Sequence, residues 1–357
     1  MTDEASTPPR KRRPRYRGTH PRRFDEKYKE RDAARYPAER AKILLSGRTP
    51  AGSHVPVLVA EVLETLAPIP GGVAVDATVG YGGHASELLK RILPGGRLLA
   101  LDVDPIELPK AEARLKALAQ SLGDAGAARC VRRNFAGLRK LLEAEGLARG
   151  ADVILADLGA SSMQLDDPAR GFSWKRDAPL DLRMNPERGQ PAAVLLGKLK
   201  KEEIEDFLRR YGDEPLAGRI AEAVVEARRS HPLLRTSDLT RAVESAFEGT
   251  PQPRGSDAKK SSLQRTFQAI RILVNDELTA LDAFLRDLPF CLAPGGRVAI
   301  LTFHSGEDRR VKKAFKVGLE AGLYARVAHD VVRATPEERS RNPRSSAAKL
   351  RWAVRAG

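Results

Sequence analysis

An α/β fold, with a doubly wound parallel sheet interrupted by an all-helical insertion, is what this sequence predicts, and three observations carry the reading. Short apolar strands alternate with amphipathic helical segments from about residue 54 to residue 159, at the spacing of βαβ units. The first strand runs into a glycine turn, GYGGH at 80–84, where backbone can approach a small ligand closely. The alternation then stops, gives way to helical patterns alone, and returns near residue 270.

The elements follow in order. HVPVLVAEVLETL (54–66) reads as a lead-in helix and GVAVDAT (72–78) as an apolar strand bounded by glycine. GHASELLKRIL is helical, GGRLLALDVDP (95–105) a second strand, PKAEARLKALAQSLG helical, and RCVRRN a third strand. FAGLRKLLEAEGL is helical and ADVILADLG (151–159) is the fourth strand. Residues 165–191 show no sustained period, and a loop this long inside a domain is usually functional. Ile204, Phe207, Leu208 and Tyr211 share one helical face, as do Leu239, Ala242, Val243 and Phe247. GTPQPRGSDAKKSS (249–262) reads as a loop. Ile270, Val274, Leu278, Leu281 and Leu285 predict one long amphipathic helix. PGGRVAILTFHS (294–305) is a fifth strand, GEDRRVKKAFKVGL is helical, and YARVAHDVVRA and KLRWAVR are the last two strands. The expected units are a basic extension over 1–50, a core over 51–165 and 263–357, and an inserted helical unit over 166–262.

The chain of 357 residues carries 62 Lys and Arg against 47 Asp and Glu, a net charge of +15. Residues 1–50 hold 15 basic and 7 acidic side chains, so +8 of that charge sits there. A disordered, solubilising extension or a nonspecific RNA tether fits this composition, and the overall balance points to a polyanionic partner. The two cysteines, Cys130 and Cys291, form no disulfide framework and lack metal-ligand spacing. No metal site is expected, and a reducing cytoplasm fits. No apolar run approaches the length of a transmembrane helix.

The glycine turn has three candidate ligands. Gly80, Gly82 and Ala85 match the loose dinucleotide pattern, with Asp102 near the position of a ribose-binding acid. A nucleoside triphosphate site is excluded because no Lys-Ser or Lys-Thr follows the glycines. Two features argue against a dinucleotide. Asp76 stands directly ahead of the turn, where it repels a pyrophosphate but attracts an ammonium. Asp157 ends the fourth strand at the edge where ligands bind. Carboxylates on successive strand ends suit S-adenosylmethionine, which has a sulfonium, an ammonium and a ribose but no phosphate. Both aspartates can instead be helix caps. A nicotinamide dehydrogenase would need a hydride-transfer acid and base, and no such constellation is present.

HVPVLVAEVL, VDATVGYGGHASELL, LLALDVDP, DLGASSMQLDDPARGFSW, PLDLRMNPERGQ, RTFQAIRILVNDEL, PGGRVAILTFHSGEDRRVKKAF and NPRSSAAKLR together closely resemble the ribosomal RNA small subunit methyltransferase H family, also called MraW. The resemblance covers about 54–357. It implies a class I S-adenosylmethionine-dependent methyltransferase, Rossmann-like, with an inserted helical domain. It also implies methylation of the exocyclic N4 of a cytidine in the decoding region of 16S ribosomal RNA. The expected partners are 16S rRNA within the small ribosomal subunit and a second copy in a homodimer, with no membrane. The alternative is an RNA-binding protein on a degenerate methyltransferase fold. By motif, the cofactor contacts implied are Gly82, Gly83 and His84 in the turn, Asp102 at the ribose, Phe135 at the adenine, and Asp157 and Gln164. Asp157 is also the candidate proton acceptor. Phe172 and Trp174 are candidate stacking partners for a base withdrawn from its helix, and Arg170, Arg183, Arg265 and Arg309 are candidate RNA contacts. The sequence departs from the family pattern at KKSSLQRTFQA, at Met163 in place of proline, and at Gly306 in place of leucine.

Overall fold

Alternating residues along the central strands are apolar on both sides, which dictates a sheet covered on both faces. Ala74, Ala100, Leu155 and Leu301 join one buried cluster, and Val75, Leu99, Ile154 and Ile300 join another on the opposite face. The structure, a computed structural model, describes residues 56–249 and 257–357. The basic extension over 1–50 lies outside the described residues.

After helix α1 (Val59–Leu66), the first half is β1 (Val73–Asp76), α2 (Gly83–Ile92), β2 (Arg97–Asp102), α3 (Leu108–Ser121), β3 (Ala128–Arg132), α4 (Leu138–Ala144) and β4 (Ala151–Asp157). The short helix α5 (Ser162–Asp166) opens the aperiodic stretch. The helical unit follows as α6 (Ala192–Lys198), α7 (Lys201–Gly212), α8 (Ala217–Ser230) and α9 (Thr236–Ser245), then α10 (Ala258–Asn275) and α11 (Glu277–Asp287). The chain closes with β5 (Leu292–Thr302), α12 (Ser305–Glu320), β6 (Tyr324–Val327), α13 (Pro336–Arg341) and β7 (Lys349–Arg355). The seven-stranded sheet has the order β3-β2-β1-β4-β5-β7-β6. Its first five strands are parallel and β7 is antiparallel to both β5 and β6.

Two expectations are corrected. Residues 258–262, read as loop, begin α10, where Ser262 is buried and its hydroxyl donates to Glu214 Oε1 at 2.8 Å. The single long helix is two, because Asp276 takes a left-handed conformation with φ 48° between α10 and α11. The break marks a change of core. Leu263, Phe267 and Ile270 pack with α6–α9 in a third apolar cluster, whereas Leu278, Leu281 and Leu285 pack under the sheet. The expected boundary at 262–263 therefore falls inside α10, whose first turns belong to the helical cluster.

Candidate active site

The carboxyl ends of β1, β2 and β4 open into a cavity of about 700 Å³. It lies where the strand order reverses between β1 and β4, the position at which open α/β sheets bind ligands.

The turn after β1 forms because Gly80 and Gly82 take positive φ, 49° and 83°, at no steric cost to glycine. Val79 N–H donates to Leu101 O at 2.7 Å, and Gly82 N–H to Val79 O at 2.7 Å. Asp102 Oδ2 accepts from Gly80 N–H at 2.8 Å, and Oδ1 from Asp104 N–H at 2.9 Å. The carboxylate thus ties the turn to β2, and each oxygen keeps acceptor capacity for a hydroxyl. Gly83 lies so close to Pro56 that a Cβ would stand 2.4 Å from its Cγ. Gly82 faces Ala111 and Leu115 of α3 and does not line the cavity. Its expected cofactor contact is corrected to a role in shaping the turn.

Three aspartates converge here. Burial first, then the Asp102 charge, pushes Asp76 up to about 7, against lowering hydrogen bonds from the Thr78 and Ala85 amides. Asp76 Oδ1 accepts from Thr78 N–H at 3.1 Å. Burial also pushes Asp102 up to about 6. Asp157 caps nothing. Its Oδ1 is buried with no hydrogen-bond partner among the described residues, and its Oδ2 lies 3.8 Å from His84 Nε2, itself unpartnered. Burial, then the Asp76 and Glu307 carboxylates, pushes Asp157 up to about 8, while burial lowers His84 to about 4 and keeps it neutral.

Phe135 borders the cavity and meets Phe284 edge-on, with ring centroids 5.2 Å apart. Gln164 also borders it, but its Oε1 accepts from Ser161 N–H at 2.9 Å and its Nε2 donates to Asp104 Oδ2 at 2.8 Å. Both ends of its amide hold α5 against β2.

The candidate RNA contacts fall in different surroundings. Arg170 is 6% exposed; its Nη1 donates to Asp104 Oδ2 at 2.9 Å and its Nη2 to the carbonyls of Arg183 and Met184. It pins the aperiodic stretch to the end of β2. Phe172 is buried with its ring 5.8 Å from the Arg170 guanidinium, and Trp174 packs on the helical cluster. Neither ring faces the cavity. Arg265 and Arg309 stand away from the cavity beside Glu214 at 3.9 Å and Asp213 at 3.4 Å. Arg183 does border it, held in the plane of Asp181 by bonds of 2.8 and 2.7 Å.

The structure adds residues that spacing did not single out. Arg271 enters the cavity from α10, with its Nε and Nη2 bonded to the two oxygens of Glu277 at 2.8 and 3.0 Å. Glu307 sits at the start of α12 in a capping box with His304. Burial opposes its ionisation, but the His304 ring, the Arg271 charge and the Phe303 N–H outweigh burial and hold its carboxyl below the usual value. The available signals were an arginine set among the apolar residues Ile270, Ile272 and Leu273, and a Glu three residues after a cap.

The strand ends gather Asp76, which is buried, with the partly buried Asp102 and Asp157, three carboxyls of raised basicity and a local deficit of positive charge. S-adenosylmethionine fits that deficit with its ammonium and sulfonium, and Asp157 lines the same space. Asp102 and Phe135 line the same cavity. A parallel sheet of this order with this site defines a class I S-adenosylmethionine-dependent methyltransferase. Residues 51–356 match the model of the MraW methylase family, and the chain belongs to that family. Similar relatives are named ribosomal RNA small subunit methyltransferase H. The one from Lachnoclostridium phytofermentans is 47% identical, covering 99% of this chain and 95% of its own. The one from Alkaliphilus metalliredigens is 44% identical, covering 97% and 98%.

Proposed function

We propose that this protein transfers a methyl group from S-adenosylmethionine to the exocyclic N4 of a cytidine in the decoding region of 16S ribosomal RNA. The substrate in this reading is the RNA within the small ribosomal subunit, in the cytoplasm, with self-association into a homodimer part of the same proposal. The observation that carries it is Asp157, a carboxylate of raised basicity with one oxygen unpartnered, at the end of β4 in the cavity. Membership of the MraW methylase family supports it. So does the completeness of the site, which disfavours a degenerate RNA-binding module.

S-adenosylmethionine supplies a methyl group on a cationic sulfur open to in-line attack. The side chains supply position and proton traffic. The N4 lone pair of cytosine is delocalised into its ring, so alignment contributes much of the rate. Asp157 accepts the proton lost as N4 becomes cationic, and its raised basicity suits that task near neutral pH. His84, neutral beside it, adds no charge that would lower that basicity. Asp102 and the glycine turn hold the ribose end, Phe135 lies along the adenine, and Asp76 faces the ammonium.

The test is mass spectrometry of 16S rRNA fragments from a strain lacking the gene, then from that strain's small subunits after incubation with the protein and cofactor. A decoding-region cytidine lighter by one methyl group, restored by the protein, is expected. An unchanged fragment would remove the assignment.

A further inference from the structure

Arg271 is a charged side chain of the cavity whose fixed geometry the proposed chemistry leaves without a task. Its side chain is 15% exposed, and Glu277 holds its Nε and Nη2 in a bidentate pair. That pair sets the plane of the guanidinium and leaves the Nη1 N–H groups and the outer Nη2 N–H. Nη1 makes no hydrogen bond among the described residues. These remaining donors form a two-pronged fork. The group lies over the segment that follows β4: both Nη atoms stand 3.7 Å from where a Cβ on Gly159 would be. That is van der Waals distance, so the guanidinium packs directly over Gly159, two residues from Asp157. Gly159, Asp157 and Arg271 line one cavity.

We propose that Arg271 and Asp157 together read the Watson–Crick edge of the target base and select cytosine. The guanidinium fork donates to O2 and N3, and the Asp157 carboxylate accepts from N4. The inference rests on the function proposed above and names the residues that set its base specificity. Unpaired cytosine presents two adjacent acceptors, O2 and N3, beside a donor, N4–H. A fork of parallel N–H groups matches two adjacent acceptors, as arginine does at the O6 and N7 of guanine. Uracil presents a donor at N3 and an acceptor at O4, so it meets donor with donor at Arg271 and acceptor with acceptor at Asp157. Single-stranded bases are commonly read along this edge once unstacked. Glu277 is a positioning residue in this scheme, since it orients the fork and touches no base.

A double-substitution cycle tests the contact. Small subunits are reconstituted with cytidine or 3-deazacytidine at the target, the latter carrying C–H in place of N3. Single-turnover methylation is then measured with the wild type, Arg271→Gln and Arg271→Lys. The wild type is expected to lose about 10- to 100-fold in kcat/KM on 3-deazacytidine, the worth of one bidentate base contact. Arg271→Gln is expected to lose a similar factor on cytidine and little more on 3-deazacytidine. Because both proteins meet the same two bases, any intrinsic difference in N4 reactivity cancels. Arg271→Lys keeps the charge but not the fork and is expected to show the same collapse of the 3-deaza penalty. S-adenosylhomocysteine affinity, by calorimetry, is expected to hold in both variants. Independent, multiplying losses overturn the proposal. So does a weakened S-adenosylhomocysteine affinity that accounts for the rate loss, which would place Arg271 on the cofactor's carboxylate. If neither variant folds, a wild type that methylates both bases equally well still overturns it. No methylation of the cytidine particles by the wild type is instead the failure of the underlying function.

Discussion

Asp157 and Asp102 both end strands and both border the cavity, yet their surroundings separate their roles. Asp102 has one backbone N–H on each oxygen, whereas Asp157 Oδ1 has no hydrogen-bond partner among the described residues. Asp157→Asn keeps the shape and removes the basic oxygen, so the methyl-transfer rate is expected to fall by about 10²–10⁴, with cofactor affinity nearly unchanged. The carboxyl is pushed up to about 8. It is therefore protonated at acid pH, and the acceptor form grows as pH rises. The wild-type rate is expected to climb with pH and level off above about 8, and the residual Asp157→Asn rate to lack that climb. A near-normal mutant rate at saturating cofactor would remove Asp157 from the chemistry. Asp102→Ala removes a charge-assisted contact to the ribose, a loss of roughly 1.5–3 kcal/mol in cofactor binding. It also leaves Gly80 N–H without its acceptor, so the turn is expected to loosen. Asp102→Asn, which keeps an acceptor oxygen, should recover part of the turn and less of the affinity. Calorimetry on both folded variants checks this, and unchanged affinity would sink the ribose assignment.

At the level of elements, the stretch between α5 and α6 shows what spacing reveals and what it hides. Its lack of period correctly marked a special segment, but composition could not say which arginine faces in. Arg170 turns inward because Asp104, just past the end of β2, offers a buried carboxylate, and the carbonyls of Arg183 and Met184 complete its bonds. Arg170→Met leaves that carboxylate partly uncompensated, and breaking a buried pair costs about 3–5 kcal/mol. A fall of several degrees in melting temperature is expected, with the salt dependence of RNA binding unchanged below the transition. A normal melting curve with a flatter salt slope would return Arg170 to the RNA. The central strands were legible for a simpler reason: burial on both faces writes apolar runs, and their short length, glycine flanks and alternation with helical segments mark them as strands. The break at Asp276 was not. Ile270, Val274, Leu278, Leu281 and Leu285 continue a helical spacing across it, because α10 and α11 each bury an apolar face, one in the insertion and one under the sheet. Arg271 escaped notice for the same reason, since its partner Glu277 lies beyond the break.

Across the whole molecule, charge is divided unevenly between the parts. The net is +15, of which +8 lies in residues 1–50, where 15 basic side chains meet 7 acidic ones. The cavity lining is balanced, with Asp76, Asp102, Asp157, Asp276, Glu277 and Glu307 against Arg132, Arg133, Arg183, Arg188, Arg271 and Arg344. A lining without net positive charge leaves much of the RNA backbone to basic surface elsewhere. If the extension holds RNA and the cavity holds the cofactor, the two affinities should be separable. Deleting residues 1–50 is expected to weaken RNA binding and reduce the slope of log affinity against log salt, because fewer counterions are released. Every phosphate that the extension neutralises should account for about 0.7–0.9 of that slope, and S-adenosylmethionine affinity should stay the same. Filter binding of 16S rRNA fragments to the full and shortened chains over a range of salt concentrations, with calorimetry of the cofactor beside it, reads both quantities. Equal salt slopes would show that the extension is solvated and leaves the RNA to the folded body. A shortened chain with weaker cofactor binding would show instead that the extension reaches the cavity and helps to hold the cofactor.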